Sequence, residues 1–503
     1  MNSPDAAVEE QEQRLHPWSW LFALQQQAQQ FLLPLVALLF FGSRRQNDEW
    51  PFHLVTLAVA AALIVSAVLH YLTYRYRIGR GVLVIRSGIF ERTRREIPFT
   101  RIHNVVVHQN LLHRLFGVAE LRLESAAGAK PEAEMRVLRL RQALELEQLI
   151  RQGGSSHATV AGQPAAEPAT TALLALPLPE LVRQGLISNR AMVAVAALIG
   201  AAWQMFPREQ AQDFIRDQSR QAFGYASRLQ LDTPALLASG VAMLLAALLL
   251  MQLLSIALAI VQYHGFRLSA QERRLTVERG LFTRLRSSVA QRRIQAWTLR
   301  EGVLHRVFKR RQLRVDIAGG AAQEQEGRAL KELVPLASPA TCDDLLQQLL
   351  PNAQWPPLQW HAVSKRGWWR MCLPVVPIVA VATALACHRF GAWGLLPLLW
   401  LPWSLFKAHR QVTHMAYTID TQRVAVRGGW WSRWWRIAEL DKLQALRLER
   451  SPLDRHFGTA TLTLDTAGAF GAPPLRLRFL DEQDAQALLE QLGGEMARRR
   501  LRW

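Results

Sequence analysis

Cysteine is almost absent from this chain, with three in 503 residues. Cys342, Cys372 and Cys387 are odd in number and widely spaced, which excludes a disulfide framework and a CxxC metal pattern. A cleavable leader is not expected either: MNSPDAAVEEQEQRLHP is polar and partly acidic, where a signal peptide is basic and then apolar. No G-x-S-x-G elbow, phosphate-cradling glycine loop or H-E-x-x-H helix occurs. No isolated pair of carboxylates stands in an apolar setting suited to acid–base work. The sequence therefore assigns no catalytic residue, cofactor or metal, and we expect a protein that is not an enzyme. Negative charge is also short, 40 Asp+Glu against 60 Lys+Arg, and the resulting +20 favours an anionic partner, nucleic acid or acidic lipid.

Apolar stretches are plentiful. Half of the residues are hydrophobic, and several runs approach the ~20 residues that cross a bilayer. They fall into three pairs. The first is a ragged span at about 22–42, with FLLPLVALLFF at its centre, followed by HLVTLAVAAALIVSAVLHYL at 53–72. The second holds AMVAVAALIGAAWQMF and ALLASGVAMLLAALLLMQLLSIALAIVQY; the third holds MCLPVVPIVAVATALACH and GAWGLLPLLWLPWSLF. Basic residues follow the second member of each pair (YRYRIGR, HGFRLSAQERR, KAHR), which puts the intervening soluble pieces and both termini in the cytoplasm. SRR in the first opposite loop points mildly the other way.

The soluble pieces are copies of one another. With Gly88, Gly280 and Gly429 aligned, Arg92, Arg284 and Arg433 coincide, as do Arg101, Arg293 and Lys442. Leu112, Leu304 and Leu453 follow, then Arg114, Arg306 and Arg455, then Phe116, Phe308 and Phe457, all without a gap. Leu83 and Ile85, Leu275 and Val277, and Val424 and Val426 alternate as half-buried strands before the glycine, which marks a turn into a second strand. NLLHRLFG, GVLHRVFK and SPLDRHFG read as a tight helical turn carrying its leucine and phenylalanine into the core. Further strands and an amphipathic helix (140–152, 340–350, 481–492) close each copy into a small barrel or sandwich.

This pattern, from GVLVIRSGIFERTRREIPFTRIHNVVVHQNLLHRLFGVAELRLESAAG and its counterparts from 273 and 422, resembles the bacterial pleckstrin-homology-like (PH-like) membrane proteins of the YdbS/YdbT type. The resemblance spans nearly the whole chain and is loosest in the third copy, where tryptophans replace the hairpin and Pro452 enters the turn. It implies an α+β membrane protein: three repeats of a transmembrane helix pair followed by a β-rich PH-like module with a C-terminal helix. The boundaries are 1–73 for the N-terminal segment and first pair and 74–152 for module 1. A linker and elbow helix take 153–190, the second pair 191–263 and module 2 264–351. A Trp-rich linker takes 352–370, the third pair 371–407, and module 3 with a basic tail 408–503. The resemblance further implies a cytoplasmic-membrane location, a role in envelope stress or antimicrobial-peptide resistance, and a smaller two-span relative as a partner.

Six residues are candidates for lipid or partner contact: Arg92, Arg284, Arg433, Trp434, Trp435 and Arg436. Guanidinium forks match phosphate oxygens, and tryptophan favours membrane–water interfaces. A solvated hairpin tip is the plainer alternative for the three arginines. Trp434 and Trp435, with Arg433 and Arg436, read as an anchor against headgroups or against another module. Gly88, Gly280 and Gly429, with the repeated leucines and phenylalanines, are read as structural. His103, His108 and His113 suggest metal, but His103 becomes Gln295 and Gln444 in the other copies and His108 becomes Arg300 and Glu449, so converging ligands are not expected. Basic and aromatic interleaving suits single-stranded nucleic acid, yet the flanking spans favour lipid headgroups, and no nucleic acid is expected. The expected function is a lipid- or protein-binding scaffold at the inner leaflet. The alternative is a component of a transporter or exporter, although the spans carry few ionisable groups of the kind an ion path needs.

Overall fold

The computed structural model describes residues 13–14, 16–22 and 24, scattered positions from 58 to 73, and 74–498 apart from 80, 89–91, 126–132, 154–170, most of 206–232, 272, 318–330, 351–354 and 467–474. The expected first span thus lies almost wholly outside the described residues, and the second is described only in part.

Module 1 opens with strands β1 (Gln13–Arg14), β2 (Arg75–Gly79), β3 (Val82–Ser87) and β4 (Thr93–Pro98), which form one antiparallel sheet. It continues with β5 (Ile102–Gln109), helix α1 (Leu111–Leu115), β6 (Val118–Ser125), β7 (Ala133–Arg139) and the closing helix α2 (Leu140–Gly153). The alternation read from sequence places Leu83, Ile85 and Ile97 on the inner face. There they meet Val105, Val107, Leu121 and Leu123 of the second sheet and Ala143, Leu146 and Ile150 of α2. Two sheets and one helix bury a single core because each has only one apolar face to hide.

The second and third modules repeat this. Module 2 comprises β8 (Thr171–Ala175), β9 (Arg267–Gln271), β10 (Arg274–Arg279), β11 (Arg284–Ala290), β12 (Ile294–Glu301), α6 (Val303–Val307), β13 (Arg311–Ile317), β14 (Val334–Ala337) and α7 (Pro339–Leu349). Between β8 and β9 come α3 (Leu178–Ile187), α4 (Arg190–Met205) and α5 (Thr233–Tyr263). Module 3 comprises β15 (His361–Ala362), β16 (Ala416–Ile419), β17 (Arg423–Gly428), β18 (Arg433–Glu439), β19 (Leu443–Glu449), α11 (Pro452–Phe457), β20 (Thr459–Thr466), β21 (Leu475–Asp481) and α12 (Glu482–Arg498). Between β15 and β16 run α8 (Gly367–Cys372), α9 (Val375–Phe390), a 3-10 segment at 391–399, and α10 (Trp400–His414).

Two features of this topology are absent from the sequence reading. First, each module takes its first strand from before the apolar segment: β1 pairs with β2, β8 with β9 and β15 with β16. The stretches read as linkers at 153–190 and 352–370 thus each supply a strand. Second, the modules share sheets. β5 pairs with β11 and β12 pairs with β18, so two sheets of seven strands run through the boundaries, in the orders β7-β6-β5-β11-β10-β9-β8 and β14-β13-β12-β18-β17-β16-β15.

Among the described residues two helical runs are long and apolar enough to cross a membrane, Leu237–Tyr263 and the bent run Gly367–His414, with mean hydropathies of 2.7 and 2.0. In the latter α8 packs back against α10. A third candidate is the pair Leu178–Ile187 and Arg190–Ala201, bent by 54°. Gly185 of α3 lies so close to α5 that a Cβ there would be 2.4 Å from the Ile256 Cα. The Ser255 hydroxyl bonds the Gly185 and Ser188 carbonyls at 2.9 and 2.7 Å, fixing the elbow.

Candidate membrane-facing rim

The aligned glycines sit in turns that only glycine adopts without strain: φ is +107° at Gly88, +113° at Gly280 and +83° at Gly429. A Cβ would stand 1.9 Å from the Thr283 carbonyl oxygen at Gly280 and 1.9 Å from that of Ser432 at Gly429. In module 2 this turn caps the end of α5. The Gly280 N–H donates to the His264 carbonyl at 2.8 Å and that of Leu281 to the Val261 carbonyl at 2.9 Å. In module 3 it lies against α10, with the Trp430 ring 5.2 Å from Phe406 and 6.3 Å from Trp403, and Trp431 beside it at 5.7 Å. The repeated arginine of the short helix binds the next module's turn. Arg114 donates to the Leu281 carbonyl at 2.8 Å and Arg306 to the Trp431 carbonyl at 2.9 Å. Short helices and turns are thereby gathered at the ends of the apolar helices.

The apolar side chains there face outward. Leu115 is 76% exposed, Val307 70%, Trp431 62% and Phe282 48%. This corrects the reading of the short helix as a carrier of core residues for Leu112 and Leu304, whereas Phe116 packs against buried Phe22, Val118 and Val137. Leu112 and Leu304 are 38% and 43% exposed, while Leu453, Phe116, Phe308 and Phe457 are half-buried. The polar side of the turn faces in instead. Asn110 Oδ1 caps α1 by accepting the His113 N–H at 2.8 Å, and His113 is buried against Phe22 with ring centroids 4.2 Å apart. In module 3, Ser451 and Asp454 form a capping box, and the buried Asp454 accepts from Arg370 of α8 at 2.6 Å.

The six nominated residues divide among the rim, the core of module 3 and a module junction. Arg92 and Arg284 are exposed just beyond their turns, and Arg433 opens β18 half-buried. Trp434 packs inward on the core of module 3, where a Cβ on Gly428 would meet its ring at 2.8 Å. Trp435 points to the other face, onto the core of module 2, beneath the Arg311 guanidinium at 4.7 Å. Arg436 is 6% exposed and donates to Asp316 of β13 at 2.6 Å. Burial pulls its pKa down and Asp316 pulls it back. Trp430 and Trp431 are the tryptophans that stand by the membrane helix.

Two charge clusters support this frame. At the base of α4 and α5, Glu332 lies 3.4 Å from Arg190, 3.6 Å from Arg279 and 3.2 Å from Arg314, and accepts the Tyr263 hydroxyl proton. Burial opposes ionisation of Glu332, but the tyrosine and the three arginines outweigh it and hold its pKa below the ordinary value. In module 1, burial likewise opposes ionisation of Glu120, yet His108 and Arg122, at 3.5 and 2.9 Å, hold its carboxyl down at about 2. His108 is thus occupied by Glu120 and His113 by Asn110, while the His103 side chain lies outside the described residues.

Three tandem α+β units, fused through their sheets and interrupted by apolar helices, define a membrane-embedded module array. The chain belongs to the Bacterial PH domain family, whose profile matches residues 30–153, 228–352 and 372–496. It is 21% identical over 448 residues to the UPF0699 transmembrane protein YdbT of Bacillus subtilis (strain 168), covering 86% of this chain and 88% of that protein. No solved structure matches. With its long apolar helices, the chain is a transmembrane member of the family.

Proposed function

We propose that the protein is a non-catalytic scaffold of the bacterial cytoplasmic membrane, whose three modules stand in a row at the inner leaflet and hold anionic headgroups or a partner protein. The observation that carries this reading is the rim: exposed Leu115, Phe282, Val307 and Trp431 lie on short helices and turns that bond one another, and of these turns one caps the end of α5 and the other packs Trp430 on Trp403 and Phe406 of α10. Such side chains suit the headgroup layer, and tryptophan suits it best. Arg92, Arg284 and Arg433, just beyond the turns, would contact lipid phosphates, at roughly 1 kcal/mol each near an anionic leaflet.

The full arrangement we propose is three helix pairs with both termini cytoplasmic. The chain leaves and re-enters each module at facing residues, Arg14 and Arg75, Ala175 and Arg267, Ala362 and Ala416. An even number of crossings between them satisfies this, and the basic residues after each pair favour the cytoplasmic side. A smaller two-span relative as partner, and a setting in envelope stress or antimicrobial-peptide resistance, extend the reading through the family resemblance alone. The polar groups of α5 do not favour transport, because Ser255 and Gln252 are spent on the end of α3.

The test is purification in mild detergent with mass spectrometry of retained lipid and protein. Replacing Leu115, Val307 and Trp431 by Ser should lower the retained anionic lipid severalfold. Equal retention by the variant would remove the rim from the account.

A further inference from the structure

The two module junctions are built alike. β5 meets β11 with Val105 opposite Ser288, and β12 meets β18 with Trp297 opposite Ile437, the same positions counted from the turn glycines. The short-helix arginine reaches the next turn's carbonyl in both. The closing helix also covers the incoming sheet in both. Glu147 of α2, 2% exposed, pairs with Arg286 of β11 at 3.7 Å, and Leu346 of α7 lies in the cluster on which Trp435 of β18 packs.

Module 3 carries the same three parts, and among the described residues no further module packs on them. Among the described residues no strand pairs with the outer edge of β19. Arg455, the counterpart of Arg114 and Arg306, is exposed, and Leu489 of α12, at the place of Leu346, is half-buried. Arg447 of β19 is 78% exposed where its counterpart Val106 of β5 is 1% exposed.

We propose that β19, Arg455 and α12 form a docking surface for the first sheet of a Bacterial PH module on a separate chain. That module carries a carboxylate opposite Arg447 and an apolar residue over Leu489. This rests on the protein-binding side of the proposed scaffold and deepens it. A second copy of this chain fits poorly. In the shared register its β4 would set Arg95 against Arg447 and Arg92 against Arg450, and like charges directly opposite destabilise strand pairs. Its Arg94 would also face Leu489, where the second junction has Trp435.

The probe is the full chain given that chemistry by Arg94→Trp and Arg95→Glu, with Glu96→Cys as a reporter, mixed in detergent with full chain carrying Leu446→Cys. The register places positions 96 and 446 opposite each other. We expect a disulfide between the two chains. It should fall at least about threefold when Arg94 and Arg95 are left as they are, or when the receiver also carries Arg447→Glu. It should be lost when the receiving cysteine is moved from position 446 to Gln444, out of register. No cross-link, or one indifferent to register and to these charges, would overturn the proposal. If it fails while the unaltered chain still retains lipid and protein on purification, the surface is wrong and the scaffold stands. If nothing is retained, the scaffold reading fails by its own test.

Discussion

At the scale of single residues, the turn glycines and the buried acids make the sharpest demands. Gly280 combines φ of +113° with a Cβ site 1.9 Å from a backbone oxygen. Gly280→Ala should cost at least about 2 kcal/mol, read as a lowered midpoint in detergent unfolding, whereas Gly117→Ala, with open space at its Cβ, should cost less. Glu120 has its carboxyl held at about 2, below the ordinary 4.5. A depressed acid contributes stability that is complete above its unfolded value and lost as pH falls through its folded one. Module 1 should therefore weaken between roughly pH 4.5 and 2, and Glu120→Gln should flatten that part of the pH profile; an unaltered profile would show that His108 and Arg122 do not hold the charge.

The residue scale also shows how the tryptophan-rich stretch divides, with Trp435 set against another module, one of the two placements expected of it, and Trp434 in the core of its own. Alternation along β18 sends Trp434 into one core and Trp435 into another. The sequence marks that alternation, but nothing local to it says that a second core lies across the strand. Trp430 and Trp431 stand at the rim because α10 approaches their turn, a contact that nothing local to the stretch marks.

Elements come next. The repeat of glycine, arginine, leucine and phenylalanine was legible because it keeps its spacing without gaps, and with it the hairpins, the short helix and the closing helix. The first strand of each module was not. β8 is separated from β9 by the whole apolar segment, and TALLA is too short to declare a partner. Edge pairing between modules was equally hidden, since a strand's own alternation fixes which face it buries and not which strand lies beside it. The junction can be tested through its buried ion pair. Asp316→Asn leaves the nearly buried Arg436 without its anion, which should destabilise the boundary of modules 2 and 3 by roughly 3 kcal/mol. Hydrogen exchange should then rise in β12 and β18 with little change in β5 and β11. Equal loosening of both junctions would contradict local coupling.

For the whole molecule, the spans and the excess of 60 basic over 40 acidic residues pointed to a membrane and an anionic neighbour. Sheet fusion adds that the modules are successive segments of one array and not independent beads. The proposed arrangement sets such an array on one side of the bilayer, because each apolar segment leaves and returns between two paired strands of one sheet. The most direct test is sidedness. Single cysteines at exposed Arg141, Lys309 and Arg478, one per module, are treated with a membrane-impermeant thiol reagent in intact cells and in inverted vesicles. All three sites should be protected in cells and labelled in inverted vesicles; one module labelled from the opposite side to the others would contradict a continuous cytoplasmic array.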